Sequence, residues 1–213
     1  MINSRYTYEN TEILINKENI KDAIKLDEIE THHTINRLTE LSENPAAIKR
    51  TFDITHLKNI HRYIFQDVYM DRSEMEAANL DGKLPLRGEF RIENIAKGNF
   101  QFASAMFLEN GLQYVLDELK RDTLSGLPIE SFVKKLAYYL AELNVLHPFR
   151  EGNGRVTREF IRQLAEEYGY ICDWGLLDQP KKRAEFMDAM ILSVANTSKL
   201  IEVLTGIVKK ANQ

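Results

Sequence analysis

From His147 to Arg158 the chain reads His-Pro-Phe-Arg-Glu-Gly-Asn-Gly-Arg-Val-Thr-Arg. An imidazole, a carboxylate, two glycines and, at the end, two arginines one helical turn apart share this short stretch. Such groups suit a reaction in which a hydroxyl attacks a metal-bound polyphosphate. An imidazole of ordinary pKa, about 6.5, is mostly neutral near pH 7 and can take the hydroxyl proton, which makes His147 the candidate base. Gly152 and Gly154 relieve backbone crowding, so successive N–H groups can converge on one anion. Asn153 is a natural N-cap, and the helix it opens turns its positive end toward that anion. Arg155 and Arg158, at i and i+3, lie on one face of the first turn and can fork onto phosphate oxygens. Glu151 makes sense beside an anion when a divalent cation lies between them. Mg²⁺ held by one carboxylate plus substrate phosphates is the usual arrangement. Phe149 reads as an apolar anchor, and the P-loop pattern G-x-x-x-x-G-K-[ST] occurs nowhere in the chain.

The elements that must position these groups are mostly helical. Ile129 to Leu146, after Pro128, is a strongly apolar helix suited to the centre of a bundle, and Pro148 must end it at His147. A helix from about Asn153 to Tyr168 is stopped by Gly169. Leu57, Ile60, His61, Ile64 and Phe65 follow helical spacing behind Asp53 as N-cap. Leu112, Val115, Leu116 and Leu119 repeat the pattern in a helix beginning near Ala103. Asn19 to Leu41, ended by Asn44-Pro45, Asp178 to Ser193 and Thr197 to Lys209 complete the set. The exception is residues 89–102, where alternating Phe90, Ile92, Phe100 and Phe102 flank a Lys97-Gly98-Asn99 turn and predict a β-hairpin. The fold class is all-α with one small hairpin. A single domain is expected over 1–213, with a helical segment 1–50, a core 51–195 and a C-terminal helix 197–209.

Composition narrows the partners. The 213 residues, 44% hydrophobic and 28% charged, can bury a proper core, and a net charge of −4 gives no reason to expect nucleic acid. No apolar run nears the roughly 20 residues that span a bilayer. The start lacks the apolar core of a signal peptide, and the single cysteine, Cys172, fits a reducing compartment. The expected location is the cytoplasm, or a host cell if the chain is part of a longer secreted effector.

The pattern H-P-F-x-[DE]-G-N-G-R-x-x-R, present here at every position, resembles the signature of Fic-domain proteins. His61 to Tyr69, Gly88 to Arg91 and Ile95 to Phe102 are similar to that family's helix and hairpin flap, and Tyr6 to Asp22 is similar to the start of Fic toxins. The resemblance implies a Fic-type helical bundle with the flap (88–104) over its active site. It also implies transfer of AMP from ATP to a Ser, Thr or Tyr hydroxyl of a target protein. His147 would then be the base and Glu151 the Mg²⁺ ligand; Gly152, Asn153, Gly154 and Arg155 would hold the α- and β-phosphates, and Arg158 the γ-phosphate. Ile95, Ala96, Lys97, Gly98, Asn99 and Phe100 would receive the target by strand addition. Alternatives are a Fic-fold kinase, another phosphodiester transferase, or a nucleotide-binding interaction module. Gly154-Arg155 argues against the kinase.

Two further features are specific to this chain. Met70 to Arg87 is an insertion beside the flap; Asp71, Glu74 and Glu76 could select a target by charge, as in similar effectors acting on small GTPases, or the loop could be a tolerated surface insertion. Many Fic proteins are inhibited by a helix carrying [ST]-x-x-x-E-[GN]. Thr39 to Asn44 fits that pattern through Thr39 and Glu43, whereas the toxin-like start implies inhibition by a separate small antitoxin-like protein. His32 and His33 point to different helix faces and read as solvent-exposed, and His56 and His61 as helix surface or boundary. Trp174, Tyr138 and Tyr139 read as core.

Overall fold

A computed structural model describes residues 4–211; residues 1–3 and 212–213 of the expected domain lie outside the described residues. The chain forms two compact units. One holds the chain up to Thr51, Thr55–Met106 and Pro148–Gly152; the other holds Phe52–Ile54, Phe107–His147 and the chain from Asn153 onward.

In the first unit, α1 (Ala23–Glu43) starts on Asp22, whose carboxylate accepts the Lys25 N–H at 2.8 Å, and gives way at Asn44. The next helix, α2 (Ile54–Ile64), follows Asp53 and buries Leu57, Ile60 and Ile64, with Phe65 just beyond it. The expectation for His56 and His61 is overturned, because neither exposes any surface. His61 occupies an apolar position of the stripe, and partners for both ring nitrogens make its burial tolerable. His32 is exposed on α1 as expected, while His33 is half-buried. Within the insertion lies a short helix, α3 (Arg72–Ala77), begun by a capping box in which Asp71 and Glu74 satisfy each other's backbone N–H groups.

The hairpin is shorter than 89–102. Only β1 (Ala96–Lys97) and β2 (Phe100–Gln101) pair, in the register Ala96 to Gln101 and Lys97 to Phe100. Positive φ at Gly98 but not at Asn99 marks the type II′ pattern that suits strand twist. Phe90 and Ile92 alternate without joining the ladder, because the backbone there is engaged elsewhere. Arg91 N–H donates to the Pro148 carbonyl at 2.9 Å and Ile92 N–H to the Tyr6 hydroxyl at 3.0 Å.

After a 3₁₀ turn at Ala105–Phe107, the second unit continues in α4 (Leu108–Arg121), which buries the predicted Leu112, Val115, Leu116 and Leu119. The apolar helix α5 (Ile129–Leu146) is central as expected, packing against α4, α6 (Asn153–Glu167) and α8 (Ser198–Thr205). After α6 come β3 (Tyr170–Cys172), a 3₁₀ turn at Trp174–Leu177 and α7 (Pro180–Leu192). The predicted final helix 197–209 is corrected: α8 stops at Thr205, and β4 (Val208–Lys210) pairs antiparallel with β3. The Ile207-Val208 pair continues an apolar helical pattern in sequence, but burial beside β3 decides its conformation. Tyr139 is core as expected, while Tyr138 and Trp174 are half-buried. Among the described residues the protein is therefore helical, with two small antiparallel strand pairs.

Candidate functional site

The 147–158 segment contributes to both units, and each part is held by its own. In the second unit α5 ends at Leu146, and His147 caps it with φ 47° and ψ 61°. The proline rule forbids continued helix here, as anticipated, but the resolution is a left-handed residue rather than an extended one. For a residue with a Cβ this conformation is strained, and strain of this kind concentrates at functional positions. The imidazole is half-buried, with Nδ1 3.3 Å from the Asn144 carbonyl. A carbonyl only accepts, so Nδ1 carries the proton and Nε2 is the basic nitrogen.

Asn153 is the first residue of α6 rather than its cap, and it is buried. Gly154 leaves room for Arg158, since a Cβ there would stand 3.3 Å from Nη1. Arg155 and Arg158 lie in the first two turns of α6, as their spacing required. The Arg158 guanidinium is pulled below its ordinary pKa, first by burial and then by the positive charges of Arg155 and Arg183, with Asp178 opposing. Burying a cation among cations at the positive end of a helix is unfavourable until an anion arrives. The Trp174 indole N–H donates to the Arg158 carbonyl at 3.0 Å, tying this turn of α6 to the segment beyond β3.

The loop Pro148–Gly152 belongs to the first unit. Phe149 is fully buried, stacked on His61 at 4.2 Å and tilted against Phe90 at 5.3 Å, which bears out its reading as an anchor. Gly152 has φ 80°, and a Cβ there would lie 2.2 Å from a ring carbon of Phe65, so both conformation and space demand glycine. Its N–H donates to Glu151 Oε1 at 2.7 Å. Among the described residues no three His, Cys, Asp or Glu cluster as a metal cage. One hard carboxylate beside the Gly152 turn fits Mg²⁺ of the kind whose shell substrate phosphates complete.

Other expected residues are placed as follows. Ala96, Lys97, Gly98 and Asn99 are exposed on the hairpin, with Ile95 and Phe100 half-buried at its edges. The hairpin base is fastened by Arg91, whose buried guanidinium donates to the carbonyls of Glu93 at 2.9 Å and Ala103 at 2.5 Å. The Glu93 carboxylate accepts the Ser4 hydroxyl at 2.7 Å and the Arg5 N–H at 2.8 Å. Asp71 and Glu74 are occupied within the insertion, both paired with Arg87, while Glu76 is exposed. Thr39 and Glu43 are exposed near the end of α1, where the Thr39 hydroxyl donates to the Ile35 carbonyl at 3.0 Å. No described helix is long and apolar enough to cross a membrane.

Comparison with known proteins gives the family and the fold. The Fic/DOC family profile matches residues 51–165. Protein adenylyltransferase VbhT of Bartonella schoenbuchensis is 36% identical over 95% of this chain, and the chain spans 38% of the length of that relative. The probable protein adenylyltransferase y4lH of Sinorhizobium fredii is 35% identical, with 87% of this chain and 85% of the relative covered. Among solved structures, the Bartonella tribocorum effector BepC, determined with bound AMPPNP, superposes with a TM-score of 0.79 over 98% of both chains at 21% identity. At that identity the likeness speaks for the fold.

Proposed function

The chain belongs to the Fic/DOC family, and we propose that it is a protein adenylyltransferase, moving AMP from ATP to a Ser, Thr or Tyr hydroxyl of another protein. The observation that carries this reading is the complete 147–158 motif, in a chain whose similar relatives are named adenylyltransferases. In the proposed reaction the target hydroxyl gives its proton to His147 Nε2 and its oxygen attacks the α-phosphorus of ATP. A new P–O bond forms to the target, the bond between the α-phosphorus and the bridging oxygen breaks, and pyrophosphate leaves. The Asn144 carbonyl facing Nδ1 favours the tautomer this requires. Gly152, Asn153, Gly154 and Arg155 bind the α- and β-phosphates, where charge builds on the bridging oxygen as it leaves, and Arg158 binds the γ-phosphate of the departing pyrophosphate. Glu151 is the residue to hold Mg²⁺, which when bound with ATP neutralises part of the polyphosphate charge.

The hairpin residues Ile95 to Phe100 receive the target segment in this reading, and a small GTPase is the proposed target class. Inhibition by a small antitoxin-like protein would act by withdrawing Arg158 from the γ-phosphate. Incubation with Mg²⁺ and ATP labelled at the α or γ position, in the presence of cell lysate, tests the assignment. Protein label from the α position alone, lost in His147→Ala, is the expected result. Label from the γ position alone would make the protein a kinase, and no label from either would favour a nucleotide-binding module.

A further inference from the structure

His61 lies outside the 147–158 motif, yet it reaches the two stretches of backbone on which the proposed chemistry depends. Its ring is wholly buried between Phe149, centroid 4.2 Å away, and Phe65, centroid 4.6 Å away. Gly88 N–H, at the start of the segment leading to the hairpin, donates to Nδ1 at 3.0 Å. Nε2 stands 3.2 Å from the carbonyl of Glu151. An N–H can only donate and a carbonyl can only accept, so the neighbours dictate the tautomer: bare Nδ1, protonated Nε2. The imidazole therefore works as a two-ended clamp. One end holds the backbone of the residue whose carboxylate faces Gly152 N–H, and the other holds the segment that Arg91 continues, whose own N–H donates to Pro148.

We infer that His61 is a positioning residue for AMP transfer, which sets the Glu151–Gly152 backbone through its Nε2–H and couples that loop to the base of the hairpin through Nδ1. The inference rests on the adenylyltransferase reading. Neither a phenylalanine nor an aliphatic residue could substitute, although either would fill the space between Phe65 and Phe149. The side chain of glutamine places a donor near the Nε2 position, and that of asparagine places an acceptor near Nδ1.

These differences separate positioning from packing. His61→Phe keeps the stack and loses both hydrogen bonds; His61→Gln supplies the donor to Glu151 and loses the aromatic stack. For positioning, kcat for AMP transfer falls about tenfold or more in His61→Phe, the rate equivalent of one lost buried hydrogen bond, and by about threefold or less in His61→Gln. Amide exchange in peptides covering 148–154 should rise in the phenylalanine variant while exchange in α5 stays constant. A mere core residue predicts the opposite order, with His61→Phe active and His61→Gln impaired, and that order would overturn the inference. Should a variant not fold, the wild type still decides: long-range nitrogen–proton NMR must find His61 as the Nε2–H tautomer, and the Nδ1–H tautomer would contradict the clamp. Wild-type protein that transfers no AMP would defeat the functional reading itself, whereas active wild type with the packing order of variants would defeat only the role of His61.

Discussion

The insertion 70–87 and the start of α6 are both rich in charge, and they use it in opposite ways. In the insertion, the Asp71 carboxylate accepts the N–H of Glu74 at 3.0 Å and the Ser73 hydroxyl at 2.7 Å, and Arg87 bridges it to Glu74. Lys17 adds a bond to Glu74 at 2.7 Å. In α6, the Arg158 guanidinium instead has Arg155 and Arg183 as charged neighbours, and its pKa is pulled down by burial and by those like charges, with Asp178 opposing. Charge that is satisfied internally builds structure. A cation held among like charges is a candidate to bind an anion. The acidic residues of the insertion, which the sequence offers as selectors of a target, divide on this criterion: Asp71 and Glu74 are structural, and Glu76 alone is presented to solvent.

The largest test of this contrast is at the catalytic end. His147→Ala should lower AMP transfer by about 10²–10⁴, the usual contribution of a general base, with nucleotide binding retained in a calorimetric titration. Next comes the structural side: Arg87→Ala should destabilise the fold by about 1–2 kcal/mol in denaturant melts, because it leaves Asp71 and Glu74 facing each other, while the ATP-dependent step is unchanged. Acid should loosen the same region. Asp71 is held below the ordinary carboxylate pKa by the Glu74 N–H, then the Ser73 hydroxyl and Arg87. A depressed folded pKa contributes stability that is present above the unfolded value, about 3.9, and is lost as pH falls toward the folded one. Hydrogen exchange in 70–80 should therefore rise below about pH 4. Smallest is Glu76→Lys, which should shift stability by no more than about 0.5 kcal/mol. It should nonetheless alter which protein is labelled, and unchanged labelling would remove the insertion from target choice.

Much of this was legible from residue types alone. The limits of α5, the stop at His147 and the arginine spacing follow from proline, glycine and helical periodicity, which act locally. What escaped depends on partners distant in sequence. The β4 strand exists because Tyr170–Cys172 offers it a ladder, and the hairpin is short because Tyr6 and Pro148 take the backbone bonds of Ile92 and Arg91. His61 was visible as a member of an apolar stripe, and a histidine in such a place is the signal that its nitrogens must be matched. The sequence could not name the groups that match them, Gly88 and Glu151.

The central claim is that Arg158 serves the substrate and not the fold. Arg158→Met tests it directly when thermal unfolding and Mg²⁺-ATP affinity are measured on the same preparation. Removing a half-buried, like-charge-crowded guanidinium should leave the melting temperature unchanged or raise it, while affinity falls about tenfold or more. A lowered melting temperature with unchanged ATP affinity would contradict the account.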